Sequence, residues 1–309
     1  MTPDLVLLGN LLVDDVVYAD GTTRMGVPGG AMLYSSLAAR LWDATTGCAS
    51  VQGDDYPQTM LDELRARGVL LEGVRKLGRN GIRTWLMYEG DLRRVIHRLG
   101  CPSHEEVSPA PDDIPLDWRR ARAFHLAPMP MATQLQLVRA IRAWESPESP
   151  AFISLDPYIL VTPDTLAAWR ELLQHVDAFF PSEDEMLLPG AHDDPVGTLA
   201  QLAGGKLRYV FSKRGAAGGV VYDTHDQRLH DWPAITPAAE LEPTGAGDAF
   251  MAGFVTATLE GLPIDAALKR AAVTAGFAIS GQGPEGLLRA TREKAERLLA
   301  GWAQLEEEA

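Results

Sequence analysis

The run from Leu241 to Val255, Leu-Glu-Pro-Thr-Gly-Ala-Gly-Asp-Ala-Phe-Met-Ala-Gly-Phe-Val, sets a glycine-rich turn directly before a helix-compatible stretch. Gly245 and Gly247 have no Cβ, so the backbone can approach a charged ligand closely and adopt positive φ where the turn needs it. From Ala249 onward the residues are small and apolar, which predicts a buried helix whose first N–H groups have no intrahelical partner. Those donors, at the positive end of the helix dipole, make an anion site. Asp248 falls in the first turn, where it can take a proton from a hydroxyl as that oxygen attacks a phosphorus held nearby. General-base help contributes on the order of 10²–10⁴ in rate, and a preorganised donor in an anion hole about 10²–10³. The chemistry suited to this arrangement is phosphoryl transfer. Helix capping alone also accounts for an isolated Gly-x-Gly-Asp, so the rest of the chain has to supply the context.

The elements that must position this turn alternate between strand and helix. Leu5 to Leu8 reads as a short strand ending in Gly9-Asn10, and Ala31 to Leu41 as a helix entered through Gly29-Gly30. Helices are expected over Gln58 to Arg67, Thr133 to Trp144, Asp164 to His175 and Val196 to Ala203. Buried strands are expected over Ala123 to Ala127, Ala151 to Leu155, Ala178 to Phe180 and Arg208 to Ser212. This rhythm predicts an α/β fold, a mostly parallel sheet covered on both faces. Two stretches break it: a hairpin over Ile82 to Arg98 turning at Glu89-Gly90-Asp91, and a β-prone segment over Val13 to Val27 around Asp20-Gly21.

Composition bounds the function. The 309 residues, 46% hydrophobic and 23% charged, suffice for one large α/β domain, expected to span 1–309. No apolar run nears the roughly 18 residues of a membrane span, and the first residues lack the basic start of a signal peptide, so a soluble cytoplasmic protein without membrane partners is expected. Two cysteines, Cys48 and Cys101, make neither a disulfide scaffold nor a zinc site. The formal charge of −14 argues against a nucleic-acid partner but not against a nucleotide, which needs only a few local donors and a divalent cation.

Thr244-Gly-Ala-Gly-Asp-Ala-Phe250, followed by Gly253-Phe254, resembles the second signature of the ribokinase family, also called the phosphofructokinase B family of carbohydrate kinases. The resemblance implies a three-layer α/β/α fold, with residues of about 13–28 and 82–100 forming a small β lid over the substrate. It also implies an ATP-dependent kinase acting on a hydroxyl of a small polyol, sugar or inositol-like, with Mg2+. Asp248 would be the base and Gly245, Ala246 and Gly247 the anion-hole donors. Pro28-Gly29-Gly30-Ala31 resembles the first signature, which places Gly29, Gly30 and the acidic Asp14 at the substrate. Tyr34 stands where the family often has Asn, and it offers one hydroxyl and a flat face instead of an amide. Ser182-x-x-Glu185 stands for the family's Asn-x-x-Glu, which implies Mg2+ held through water by Glu185. An acidic helix start favoured by the dipole also accounts for Glu183, Asp184 and Glu185. Lys213-Arg-Gly-Ala-Ala-Gly218 stands for Thr-x-Gly-x-x-Gly beside the nucleotide, so Lys213, Gly215 and Gly218, with Thr244, are expected there. Lys213 either meets a phosphate as a point charge or reaches solvent.

Ala271 to Phe277 is a small-residue helix of the kind that lies along an adenine ring in that family. Gly281 to Gly286 spells Gly-x-Gly-x-x-Gly but follows a helix, and Pro284 is expected to interrupt any helix start after it. A loop near a monovalent-cation site, K+ for instance, suits it better than a dinucleotide fingerprint. No P-loop sequence occurs. His97 and His125 are candidate substrate contacts, and Arg83, Arg93, Arg94 and Arg98 form either a solvated face or a phosphate clamp. The lid's strand edges invite pairing, so a homodimer through the lid is an expectation. Three other readings stay open: a nucleoside kinase, a catalytically silent nucleotide or sugar sensor motivated by Tyr34, Ser182 and Lys213, and an oxidoreductase using Gly281 to Gly286.

Overall fold

A computed structural model describes residues 1–89, 92–190, 193–235 and 242–307. In chain order the strands are β1 (Leu5–Leu8), β2 (Leu12–Val17), β3 (Thr23–Gly29), β4 (Thr46–Gln52), β5 (Leu70–Lys76), β6 (Arg83–Glu89), β7 (Leu92–His97), β8 (Ala123–Leu126), β9 (Phe152–Leu155), β10 (Ala178–Phe179), β11 (Tyr209–Lys213), β12 (Gly219–Asp223) and β13 (Arg228–Trp232). The helices are α1 (Ala31–Leu41), α2 (Gln58–Ala66), α3 (His104–Val107), α4 (Met131–Trp144), α5 (Leu166–Leu173), α6 (Pro195–Ala200), α7 (Ala246–Leu259), α8 (Ile264–Ile279), α9 (Glu285–Arg289) and α10 (Arg292–Glu307).

Nine strands form one sheet in the order β13-β12-β11-β10-β9-β8-β1-β4-β5. It is parallel from β11 through β5, with β12 and β13 added antiparallel at one edge. Its strands are apolar on both faces, as a sheet covered on both sides requires. Leu5 and Leu7 of β1 enter one core with α1, α7 and α8, while Val6 and Leu8 enter the other with α4 and α5. The same alternation sends Phe180 and Phe211 to the first core and Phe179 and Val210 to the second. The expected α/β fold is therefore observed.

The strands missing from the sequence reading have physical causes. β4 reads Thr-Gly-Cys-Ala-Ser-Val-Gln, poor in the bulky residues that signal a strand. Trp118 occupies the space beside it, leaving no room for a side chain at Gly47 or, on β5, at Gly73. The proline expectation also needs correcting, because Pro284 stands at the N-cap of α9 instead of preventing it. At a helix start the missing N–H of proline removes only a donor that has no helical partner anyway.

A second sheet, β3-β2-β6-β7, is built from the two segments expected to form the lid. β2 pairs antiparallel with β3 and parallel with β6, and β6 pairs antiparallel with β7. Of the expected hairpin turn, Gly90 and Asp91 lie outside the described residues, as do Leu241 and the side chain of Arg93.

Several side chains tie the lid to the body. Tyr88 Oη is 2.8 Å from Thr244 Oγ1, and Tyr18 Oη donates to Glu242 Oε2 at 3.3 Å. Arg24 donates to Gln282 and Glu285 at 3.1 and 3.0 Å. Glu242 also accepts from the Gly283 amide at 3.0 Å, so the loop after α8 joins the same network. Among the described residues no helix is long and apolar enough to cross a membrane.

Candidate active site

Parallel strands deliver chemistry at their carboxyl ends, where the chain leaves the sheet. Asn10 follows β1, Asp156 follows β9, Ser182 follows β10 and Lys213 ends β11, so residues more than two hundred positions apart share one edge. The lid covers this edge, and α7 starts beside it.

The start of α7 is built as its sequence requires. Gly245 is the N-cap with φ of 82°, a left-handed conformation in which a side chain is strained. A Cβ there would also overlap the Tyr34 ring. No earlier turn of the helix exists to accept from its first N–H groups, and Ala246 N makes a long 3.3 Å bond to Pro243 O. Of the three expected donors, Ala246 is thus partly engaged by its own turn.

Two cavities flank this turn. The smaller, about 320 Å³, is lined by Trp232, Ile235, Phe250, Ala272, Ala275 and Gly276 together with Gly215, Gly218 and Ser182. The larger, about 580 Å³, is lined by Asn10, Asp14, Gly30, Tyr34, Thr244, Gly245 and Asp248. Glu185, Lys213, Pro243 and Gly247 line both. Asp248 borders only the larger cavity, and the small residues of α8 border only the smaller one.

Lys213 does not run out to solvent. Its side chain is 18% exposed, with Nζ 3.1 Å from Asp156 Oδ1. Burial alone would lower its pKa, but the charges of Asp156, Glu185 and Asp248 outweigh that and hold it above the ordinary lysine value. Burial likewise pushes the Asp156 carboxyl up, and Lys213 with His125 brings it below the usual carboxylate range. His125 is fully buried, its Nε2 3.4 Å from Asp156 Oδ2 and its Nδ1 3.0 Å from Ser154 Oγ on the neighbouring strand. It supports Asp156 from behind and does not line either cavity.

The two aspartates of β2 separate by strand alternation. Asp14, 4% exposed, faces the larger cavity and accepts from Thr84 Oγ1. Asp15 points away and receives two bonds of 2.7 Å from Arg83, with Arg98 at 3.4 Å. The Arg83 guanidinium holds the Asp15 carboxyl below its ordinary value against burial. Arg83 and Arg98 therefore brace the lid, Arg94 pairs with Glu89 at 3.6 Å, and none of the three lines either cavity.

Gly30 lines the larger cavity, while Gly29 sits behind it, where a Cβ would run into the Asp14 carboxylate. Tyr34 is 2% exposed. Burial, then the charges of Glu242, Asp14 and Asp248, push its hydroxyl well above the ordinary tyrosine pKa, so it remains a neutral donor. Thr244, expected with the nucleotide residues, borders the larger cavity instead, tied to Tyr88 of the lid.

Ser182 and Glu185 close on one another: Glu185 Oε2 accepts from Ser182 N at 2.7 Å and from Ser182 Oγ at 2.9 Å. This is the local acidic turn that dipole arguments alone predict. Glu185 nevertheless reaches both cavities. Among the described residues no three His, Cys, Asp or Glu side chains form a metal cage. A single carboxylate at a cavity junction fits Mg2+, which is commonly held by one or two carboxylates plus substrate phosphates.

Sequence reasoning missed Asn10, Asp156, His104 and Tyr158. The available signal was position: Asn10 and Asp156 each follow an apolar strand at its carboxyl end.

The architecture matches solved kinases. Arabidopsis thaliana ribokinase complexed with ribose and ATP superposes with a TM-score of 0.73 at 20% identity, covering 97% of this chain and 99% of that one. An E. coli protein crystallised with ATP and Mg2+ superposes at 0.72 and 22% identity, covering 97% and 99%. The fold is thus the ribokinase fold.

A pfkB family carbohydrate kinase profile matches residues 136–290, just over half of the 309 residues, and the chain belongs to that family. A cytidine kinase from Thermococcus kodakarensis is similar as well, 29% identical over 265 residues that cover 85% of this chain and 91% of that one. The protein is a phosphotransferase with an alcohol group as acceptor, a sugar or nucleoside kinase of the ribokinase family.

Proposed function

We propose that this chain transfers the γ-phosphoryl group of ATP to a hydroxyl of a small polyol held in the larger cavity. The observation that carries this reading is the pair of cavities meeting at Glu185, Lys213, Pro243 and Gly247, with Asp248 on the acceptor side alone. The apolar cavity between Trp232, Ile235 and α8 suits an adenine ring, and its mouth at Gly247 directs the phosphate tail toward the junction.

In this mechanism Asp14 and the Gly30 backbone orient the acceptor, a carboxylate being able to accept from two hydroxyls at once. Asp248 takes the proton of the attacking hydroxyl while the new O–P bond forms and the bond to the bridging oxygen of ADP breaks. Gly245, Ala246 and Gly247 donate to the phosphoryl oxygens, Gly247 more freely than Ala246, and the Lys213 ammonium meets the same charge. Glu185, with Ser182 beside it, is the group that would hold Mg2+, which when bound would neutralise phosphate oxygens. Thr244 orders the turn through the lid. Gly215 and Gly218 shape the nucleotide side.

ATP consumption measured against a panel of sugars, inositols and nucleosides tests the reading, with Asp248→Asn as the blank. Asp248→Asn is expected to keep nucleotide binding and lose at least about 10² in turnover. Near-normal turnover of that variant would overturn the mechanism.

A further inference from the structure

The larger cavity carries a second group of residues that the phosphoryl-transfer reading does not use: Asn10, His97, His104 and Tyr158. His104 Nε2 is 3.2 Å from His97 Nε2, and His104 Nδ1 is 3.5 Å from Asn10 Nδ2. The His104 ring meets both neighbours edge to face, His97 at 5.0 Å and Tyr158 at 5.3 Å between centroids. Asn10 is 6% exposed, and its Oδ1 has no partner. We propose that these four residues form a subsite for a planar heteroaromatic ring carried by the acceptor, so that the acceptor is a nucleoside and not a free sugar. The proposal rests on the kinase reading and names its substrate class.

Three observations converge on it. The first is proton order. Asn10 Nδ2 donates to His104 Nδ1, so the neutral His104 ring carries its proton on Nε2 and donates to His97 Nε2. The proton of the His97 ring is then on Nδ1. The chain of contacts ends at an imidazole N–H, a donor that a carbonyl or ring nitrogen on a nucleobase edge would accept.

The second observation is the lining. Hydroxyls of a polyol are met by a carboxylate, which Asp14 already supplies, whereas the His104 and Tyr158 rings with Leu86 and Val95 of the lid offer flat and apolar surface. The third is size. About 580 Å³ lies mid-range among the roughly 300–1,000 Å³ sites that enclose drug-sized ligands, leaving room for a ring beyond a pentose.

The test uses the full chain with ATP and Mg2+, and cytidine, uridine, adenosine, inosine and D-ribose as acceptors. At least one nucleoside is expected to exceed D-ribose in kcat/KM by about 10² or more, since a site built to hydrogen-bond a polar group of the substrate discriminates strongly against an analogue lacking it. His104→Gln and Tyr158→Leu should each raise the KM of that nucleoside by about tenfold or more and leave kcat/KM for D-ribose unchanged. Equal or better turnover of D-ribose, or equal losses on both acceptors, overturns the subsite. Calorimetric titration of the same nucleosides into Asp248→Asn, with and without His104→Gln, separates the two readings. Nucleoside binding that depends on His104 without turnover in the parent chain condemns the kinase reading alone, and absence of nucleoside binding condemns the subsite alone.

Discussion

Lys213 Nζ lies 3.1 Å from Asp156 Oδ1, and the ammonium borders both cavities while the carboxylate borders only the larger. A fixed cation at that junction is placed to meet the charge of a phosphoryl group in passage, with Asp156 and His125 holding it in position. Lys213→Met is expected to lower kcat by about 10²–10³ with little change in acceptor KM. Lys213→Arg should retain more activity than Lys213→Met. Steady-state kinetics checks this: a Lys213→Met kcat within threefold of the parent removes the residue from the reaction.

Gly245 is fixed twice, by its φ of 82° and by the Tyr34 ring. Gly245→Ala adds left-handed strain of about 1 kcal/mol and overpacking of about 1–3 kcal/mol, so a loss of about 2–4 kcal/mol is expected in urea unfolding. Turnover should fall as well, because the displaced turn carries the donors. An unchanged midpoint and kcat would mean that the turn and Tyr34 move apart without cost.

His104 gives the fold an acid-side sensitivity. Burial, then the neighbouring His97, lowers its pKa below the ordinary 6.5. Between the folded value and 6.5 the unfolded chain binds more protons than the folded chain. The stability associated with this ring is therefore present above pH 6.5 and is lost as the pH falls through that window. Thermal unfolding from pH 7.5 to 5.5 should show a steeper fall in Tm for the parent than for His104→Gln. Parallel curves would refute the assignment.

The two thiols should differ in reactivity. Cys48 is fully buried on β4, and burial pushes its pKa up to about 12. Cys101 is partly exposed, with Sγ 3.4 Å from the Arg83 amide. Thiolate, not thiol, is the reactive form. At pH 8 a thiol reagent should therefore label one cysteine in the native chain and two in denaturant, as counted by intact mass. Rapid labelling of both in the native chain would contradict the burial of β4.

What was legible in the sequence was local. The Gly-Ala-Gly-Asp turn, the α7 run and the helix entered through Gly30 are each specified by consecutive residues, so their chemistry showed without a fold. Asp14 was identified but not separated from Asp15. The separation needs the period-two alternation of β2 and the position of Arg83, sixty-eight residues away from Asp15. Asp156 and Lys213 lie fifty-seven residues apart and meet only because β9, β10 and β11 end at one edge. Read singly, an aspartate after a strand is a turn residue and a lysine after another is a solvent charge. Thr244 belonged to a nucleotide motif by sequence, and only the seating of the lid shows that its hydroxyl meets Tyr88.

The contact between Tyr88 and Thr244 joins the lid to the peptide immediately before Gly245. Any outward movement of the lid would have to break this hydrogen bond or carry the Thr244 backbone with it, so the lid and the turn that opens α7 are mechanically linked. The stacked pair Tyr18 and Tyr88, parallel to within 10°, fixes where on the lid that link is made.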